Sequence, residues 1–286
     1  MIALSGPDAV AMLQGLISSD VTKVTDEQAG YGALLTPQGK FLFDFLILRA
    51  GDRLLLDVEQ ERLAPLLQRL TMYRLRSRVE LADASAGHAL AAVIGEGIAA
   101  RFALPERAGA CRAFAEGLAC VDPRLARLGV RVVLPPERLE SALQELGLTP
   151  LEPAAYERLR LIHGVPDGSR DLAIDKATLL ESGFEELHGV DFAKGCFVGQ
   201  ELTARMKYRG LVRKRLLPVV LKGPPPEPGT IIRHGEREVG EMRSSVDGHG
   251  LALLRLDRIA ELAQSATPLL ADATEVTPVK PDWVNF

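Results

Sequence analysis

Apolar positions change period repeatedly along the first 82 residues, and each change predicts an element. Residues 1–4 read as a short strand. Ser5-Gly6-Pro7-Asp8 then supplies a cap, a proline for the first helical turn and an acid for the positive helix end. Val10, Leu13, Leu16 and Ile17 fall on one face of the helix that follows. Residues 31–35 and 41–49 read as strands joined by the turn cluster Thr36-Pro37-Gln38-Gly39. A third strand is predicted over 54–58, an amphipathic helix over Leu63, Leu66, Leu67 and Leu70, and a closing strand over 78–81.

A second α/β stretch covers roughly residues 88 to 163. Residues 90–94 and 130–134 read as strands. Pro136 opens a helix with Leu139, Ala142, Leu143 and Leu146 inward, and another helix runs from about Pro153 to His163. The Ala- and Gly-rich residues 95–129 show no period that divides them. From Val165 to Gly189 the periodicity disappears, which suggests a long ordered loop of functional kind. After Leu211 the pattern turns β-like over 211–221, 230–233, 238–243 and 251–256, with a stiff Gly-Pro-rich link at 222–229. Short strands at such spacing suggest a small antiparallel barrel. Trp283 reads as a packing anchor for the tail, and His163 and His188 as ordinary loop or helix-end residues.

Composition narrows the class without naming it. The chain has 286 residues, is 47% apolar and carries a net charge of −4, which argues against general nucleic-acid binding through phosphate contacts. No apolar run approaches a membrane span. The first basic residue is Lys23, so a signal or transit segment is not expected and a cytoplasmic location is. The three cysteines, Cys111, Cys120 and Cys196, form no C-x-x-C, and the five histidines show no metal-binding spacing. A secreted disulfide scaffold and a stably bound metal are therefore not expected. Cys111 and Cys120 carry no evident chemistry.

The most unusual stretch is Lys194-Gly195-Cys196-Phe197-Val198-Gly199-Gln200-Glu201. Two glycines bracket a thiol, with a cation before it and an amide–carboxylate pair after it. A helix starting near Gly199, together with Lys194, would lower the thiol pKa; the same residues also suit a glycine-bounded turn around a structural cysteine. Lys194, Gln200 and Glu201 are expected to shape this loop through hydrogen bonds or an ion pair. A second unusual residue is Asp44, an acid within the apolar run Phe41–Leu48. Either it faces water, or it is a buried carboxylate that needs partners and marks a functional position. Phe41, Phe43 and Phe45 alternate with it and share the opposite face. Arg205, Lys207, Arg209, Arg213, Lys214 and Arg215 form a basic stretch, most of it expected to be a solvated face.

The octapeptide resembles the K-G-C-[FY]-x-G-Q-E signature of the YgfZ-type folate-binding proteins, relatives of the glycine-cleavage aminomethyltransferase (T-protein). The resemblance continues through Leu202–Gly210. It includes Ser5–Ala9, Leu13–Ile17, Tyr31-Gly32 and Leu34–Lys40 in the expected order. It implies an α+β fold: a T-protein-like ring of α/β modules around a central folate cleft, with a C-terminal antiparallel β-barrel. The expected division is a folate-binding region over 1–210, in modules of about 1–83 and 84–210, and a barrel over 211–286.

The same resemblance implies tetrahydrofolate or a derivative as cofactor. Asp44 matches the folate-contacting acid of the T-protein pattern, although one of that pattern's two acids is missing here. Phe43 and Phe45 are candidates for the rings of the cofactor and Arg209 for its carboxylates, with Cys196 and Asp44 as the reactive groups. The strand around Asp44 and the 164–189 loop are expected to line the cleft. The leading expectation is an accessory factor for maturation or repair of iron–sulfur proteins, partnered by iron–sulfur carriers or clients and affecting tRNA modification indirectly. One cysteine cannot hold a cluster alone. The alternative is a folate-dependent aminomethyl or methyl transferase, from whose K-x-[DE]-F-[IV]-G pattern the octapeptide departs. A third possibility is an RNA or protein adaptor using the basic stretch.

Overall fold

The computed structural model describes residues 1–262 and 267–285. They form two units whose segments interleave along the chain. Unit 1 takes Met1–Pro37, Leu42–Leu151 and Leu187–Gln200; unit 2 takes Gln38–Phe41, Glu152–Glu186 and Glu201–Phe286.

Unit 1 is built on two sheets. The first contains β1 (Ile2–Ser5), β2 (Gly30–Leu35), β3 (Phe41–Ala50), β4 (Arg53–Asp57) and β5 (Glu80–Asp83) in the order β2-β3-β4-β1-β5. β3 is buried on both faces for most of its length, which is why its sequence is almost continuously apolar. Two helices belong to this part: α1 (Ala9–Leu16) buries Met12, Leu13 and Leu16, and α2 (Gln60–Arg74) buries Leu63, Leu66 and Leu70. Leu13, Leu16, Leu63, Leu66 and Leu70 lie on the stripes that the spacing anticipates, whereas Val10 and Leu67, expected on them too, are half-buried.

The second sheet holds β6 (Ala89–Val93), β7 (Cys111–Phe114), β8 (Gly117–Val121) and β9 (Val130–Leu134), ordered β6-β9-β8-β7 with antiparallel neighbours. The one-turn helix α3 (Ile98–Arg101) and α4 (Pro136–Glu145) cover its core. Residues 95–129, which no period divides, thus contain α3 and the β7–β8 hairpin. The strands are too short, and β7 too exposed, for alternation to show. Cys111 and Cys120 face each other across this hairpin and are joined in a disulfide. They carry chemistry after all, and the pairing escaped the sequence because it depends on hairpin register. Both sulfurs belong to a cluster in which Leu48 and Leu55 of the first sheet meet Val133 of the second.

Unit 2 contains α5 (Pro153–Ile162), the one-turn helix α6 (Gly168–Asp171), α7 (Gln200–Tyr208, joining at Glu201), α8 (Leu256–Leu262) and a closed barrel. The barrel strands are β10 (Lys214–Lys222), β11 (Ile231–His234), β12 (Arg237–Val246), β13 (His249–Arg255), β14 (Leu269–Ala271) and β15 (Thr274–Pro278). They close as β10-β13-β12-β11-β14-β15, with β15 returning to β10. Leu217, Val219, Ile232, Met242, Ala252 and Leu254 fill the interior. β14 and β15 are short and went unseen in the periodicity, yet they seal the edge that four strands would leave open.

The aperiodic stretch after α5 is not a surface loop. Leu172, Leu179, Leu180 and Phe184 are fully buried, and the Phe184 ring is tilted 59° to that of Phe41 with centroids 6.3 Å apart. Irregular spacing here reflects successive tight turns, each of which aims a different residue inward. A buried ion network fixes the start of this stretch. Arg160 of α5, 1% exposed, donates to Asp171 at 2.6 Å, to the Val165 carbonyl at 3.2 Å and to Glu157. At the tail, Trp283 donates its indole N–H to the His163 carbonyl at 2.8 Å. Among the described residues no helix is long and apolar enough to cross a membrane.

Candidate functional site

Two groups of chemistry-bearing residues stand out in unit 1. The first surrounds the octapeptide. The chain approaches it through Gly189, whose carbonyl accepts from the Ser18 hydroxyl at 2.5 Å, and through Asp191, whose N–H donates to the Ser18 carbonyl at 2.9 Å. The Asp191 carboxylate pairs with Lys23 and accepts from the Ala193 N–H at 2.8 Å, which turns the chain into the motif. Lys194 then reaches the carboxyl end of α1 and donates to the carbonyls of Gln14 and Ile17, each at 2.6 Å. α1 has no basic residue in its own last turn. Lys194 therefore supplies the cation that the negative helix end favours, from the far side of the sequence.

Burial pushes the Lys194 ammonium down to about 8, against the opposing pull of Asp20 and Asp191. Its Nζ also lies 5.3 Å from the centroid of Phe197, a buried ring. Gly195 and Gly199 have φ of +94° and +80°, a region that strains any residue with a Cβ. Gln200 accepts from the Phe197 N–H at 3.3 Å, and Glu201 is exposed in the first turn of α7. Between these anchors Cys196 is exposed, and it is the free cysteine among the described residues.

The second group is centred on Asp44, half-buried on β3. Its carboxylate accepts from the Tyr31 hydroxyl of β2 at 2.8 Å. Burial and the Asp44 charge push the Tyr31 phenol well above its ordinary pKa, so it stays protonated and donates. The Arg124 guanidinium lies 5.8 Å from the Tyr31 ring centroid and grips Asp122 through two hydrogen bonds of 3.0 and 2.8 Å. Arg131 bridges Asp122 at 3.3 Å and Asp57 of β4 at 3.2 Å. Burial opposes the Asp122 charge, but Arg124 and Arg131 outweigh it and hold the carboxyl at about 2. A charged network thus backs the phenol that orients Asp44.

The remaining candidates make other contacts. Phe43 and Phe45 are 5% and 2% exposed. The guanidinium of Arg62 covers Phe43 at 4.4 Å from its centroid while donating to the Leu42 carbonyl. Arg209 is exposed just beyond α7, in unit 2. Of its basic neighbours, Arg215 is buried against Glu186 and the Leu180 carbonyl, and Lys207 pairs with Glu185. Tyr31 and the Asp122–Arg124–Arg131 network were not singled out as site residues in the sequence. The available signal was weak: two charges immediately after the apolar end of β8. No group of three or more His, Cys, Asp or Glu among the described residues is placed to hold a metal ion.

Comparison with known proteins gives three findings. The family described as "CAF17, C-terminal beta-barrel domain" matches residues 213–286. Over most of its length the chain is similar to proteins named iron-sulfur cluster assembly factor IBA57, or its homolog, mitochondrial. The Pyricularia oryzae protein is 31% identical, covering 95% of this chain and 73% of its own. The mouse and human proteins are each 32% identical, covering 99% of this chain and 82% of theirs. The crystal structure of glycine cleavage system aminomethyltransferase T from Bartonella henselae superposes with a TM-score of 0.77. It is 16% identical and covers 99% of this chain and 83% of its own, which establishes the T-protein-like fold. The relatives' mitochondrial names overturn the expectation of a cytoplasmic location. That expectation leaned on the lack of early basic residues, but Ile2 and Leu4 are fully buried in β1. The composition there is dictated by core packing and does not bear on location.

Proposed function

The chain belongs to the IBA57 family, and from that premise we propose that it is a tetrahydrofolate-binding accessory factor in the maturation or repair of iron–sulfur proteins. The observation that carries this reading is the presentation of Cys196: exposed, free, and held between two left-handed glycines by a lysine docked on α1. A soft thiolate is the ligand that iron–sulfur clusters prefer. A single one suits a site shared with a carrier or client protein, which supplies the other ligands to the cluster as cargo. Effects on tRNA modification follow indirectly, through client enzymes that carry clusters.

Tetrahydrofolate fits the Asp44 group in one respect and not in another. A carboxylate oriented by a protonated phenol is a directed acceptor for the N–H donors of a pterin edge. Phe43 and Phe45 offer no stacking face, because both are buried and Phe43 is already covered by Arg62. The bound folate would supply a reduced pterin to the site; Asp44 would bind and orient it, and Tyr31 would hold Asp44 in place.

The test uses two variants in a strain lacking the protein. Cys196→Ser is expected to keep the fold and tetrahydrofolate affinity yet fail to restore iron–sulfur enzyme activity. Asp44→Ala is expected to lose tetrahydrofolate binding by calorimetry. Full restoration by Cys196→Ser would return that cysteine to a packing role. Unchanged affinity in Asp44→Ala would remove folate from this site.

A further inference from the structure

Unit 2 contains a cavity of about 270 Å³ between the turns of 171–182 and three barrel strands, β10, β12 and β13. It is smaller than the ~300–1,000 Å³ that drug-sized ligands occupy. The barrel residues that line it alternate with the interior set. Met242, Ala252 and Leu254 point into the barrel, so Glu241, Arg243 and Leu253 stand on its outer face.

A β-bulge sits at this point. The β12–β13 register shifts between Met242 and Ser245, and bulges redirect side chains. This one is pinned from inside the protein. The Ser244 N–H donates to Asp171 at 3.1 Å, and Asp171 is 2% exposed and bound through its other oxygen to Arg160 and to the Asp167 N–H. The neighbouring Arg243 has a buried Nε with no hydrogen-bond partner, although its Nη2 pairs with Glu241. A buried donor left open at the wall of a cavity can take an acceptor that enters it.

The other charges at the cavity point the same way. Lys176 and Lys214 line it and have no ion-pair partner among the described residues. Two of its three acids are ion-paired, Asp171 with Arg160 and Glu241 with Arg243, while Glu181 accepts from the Thr178 hydroxyl at 2.7 Å and keeps its charge. We propose that this cavity binds a small oxyanion, a phosphate or carboxylate group, which accepts from Arg243 and is flanked by Lys176 and Lys214. The open Nε–H can donate to one oxygen of such a group while Nη2 stays with Glu241. This site is independent of the Asp44 and Cys196 groups, which belong to unit 1.

Calorimetric titration of the full chain with inorganic phosphate, and separately with succinate, tests it. Saturable binding of either is the expected result, and which of the two binds tells a phosphate-bearing from a carboxylate-bearing ligand. Lys214→Gln, an exposed change that leaves the core untouched, should weaken binding at least tenfold. Arg243→Lys keeps a cation beside Glu241 but removes the open Nε–H, and should do the same. Lys222→Gln, on the same strand but paired with Glu275 outside the cavity, should bind as the parent does. Failure of both anions to saturate the parent protein would overturn the proposal, as would unchanged binding in Lys214→Gln and Arg243→Lys.

Discussion

Replacing Lys194 with methionine removes one charge and little volume, and its effect can be worked from the structure. At neutral pH the ammonium donates to two carbonyls at 2.6 Å. Hydrogen bonds from a charged donor contribute about 1.5–3 kcal/mol each. Against this stands desolvation, which brings the pKa from 10.5 to about 8. At ~1.36 kcal/mol per unit that is roughly 3 kcal/mol, and about half of it once solvent screening of a partly exposed group is allowed for. Lys194→Met should therefore destabilise the protein by about 2 kcal/mol at pH 7.

The sign of the pH dependence is fixed. A lysine with a depressed folded pKa has lost its proton by a pH at which the unfolded chain still holds one. Between about pH 8 and pH 10.5 the unfolded state binds more protons, so stability rises with pH. Below pH 8 the whole desolvation penalty is present. The stability difference between parent and variant should then widen by about 1–2 kcal/mol from pH 7.5 to pH 10.5. Urea denaturation followed by circular dichroism at several pH values measures it. A difference that stays flat or narrows with rising pH would refute the desolvation argument, and a loss under ~0.5 kcal/mol at pH 7 would refute the docking role.

Three further outcomes are expected. Tyr31→Phe deletes the hydroxyl that Asp44 accepts from and should destabilise by about 1–3 kcal/mol; if Asp44 holds folate, calorimetry should also show roughly tenfold weaker tetrahydrofolate binding. Asp171→Ala removes one of the two carboxylates paired with buried Arg160 and should cost about 1.5–3 kcal/mol by urea denaturation. The double variant Arg160→Met/Asp171→Ala should recover part of that, and strict additivity would argue against direct coupling. Reducing the Cys111–Cys120 disulfide, whose cysteines are nine residues apart, should lower stability by about 2–3 kcal/mol without unfolding unit 1; an unchanged melting temperature in reductant would contradict that.

Long periodic elements were the legible part of the fold. α2, α4, α5 and the strands β3, β9 and β13 lie where leucine spacing or β-branched runs place them. Short elements were not legible, because β7, β14 and β15 have only three to five residues each, too few for a period to show. Cys111 and Cys120 show the same limit, since their meeting is a matter of register. Among site residues, Lys194, Cys196 and Asp44 stood out as chemistry out of place in its local pattern. Their partners did not. Tyr31 looks like any strand aromatic, and the carbonyls of Gln14 and Ile17 are backbone atoms with no side-chain signature.

The contact between Lys194 and α1 joins residues 180 positions apart. A chain emerging at ~5–20 residues per second exposes α1 about 9–36 seconds before the lysine that seals its last carbonyls. Throughout that interval unit 1 is unfinished, because its closing segment, Leu187–Gln200, has yet to be made. Cys196 lies within that last segment. The thiol therefore reaches its anchored position only at the step that completes the unit, and a nascent or shortened chain has no means of presenting it in that geometry.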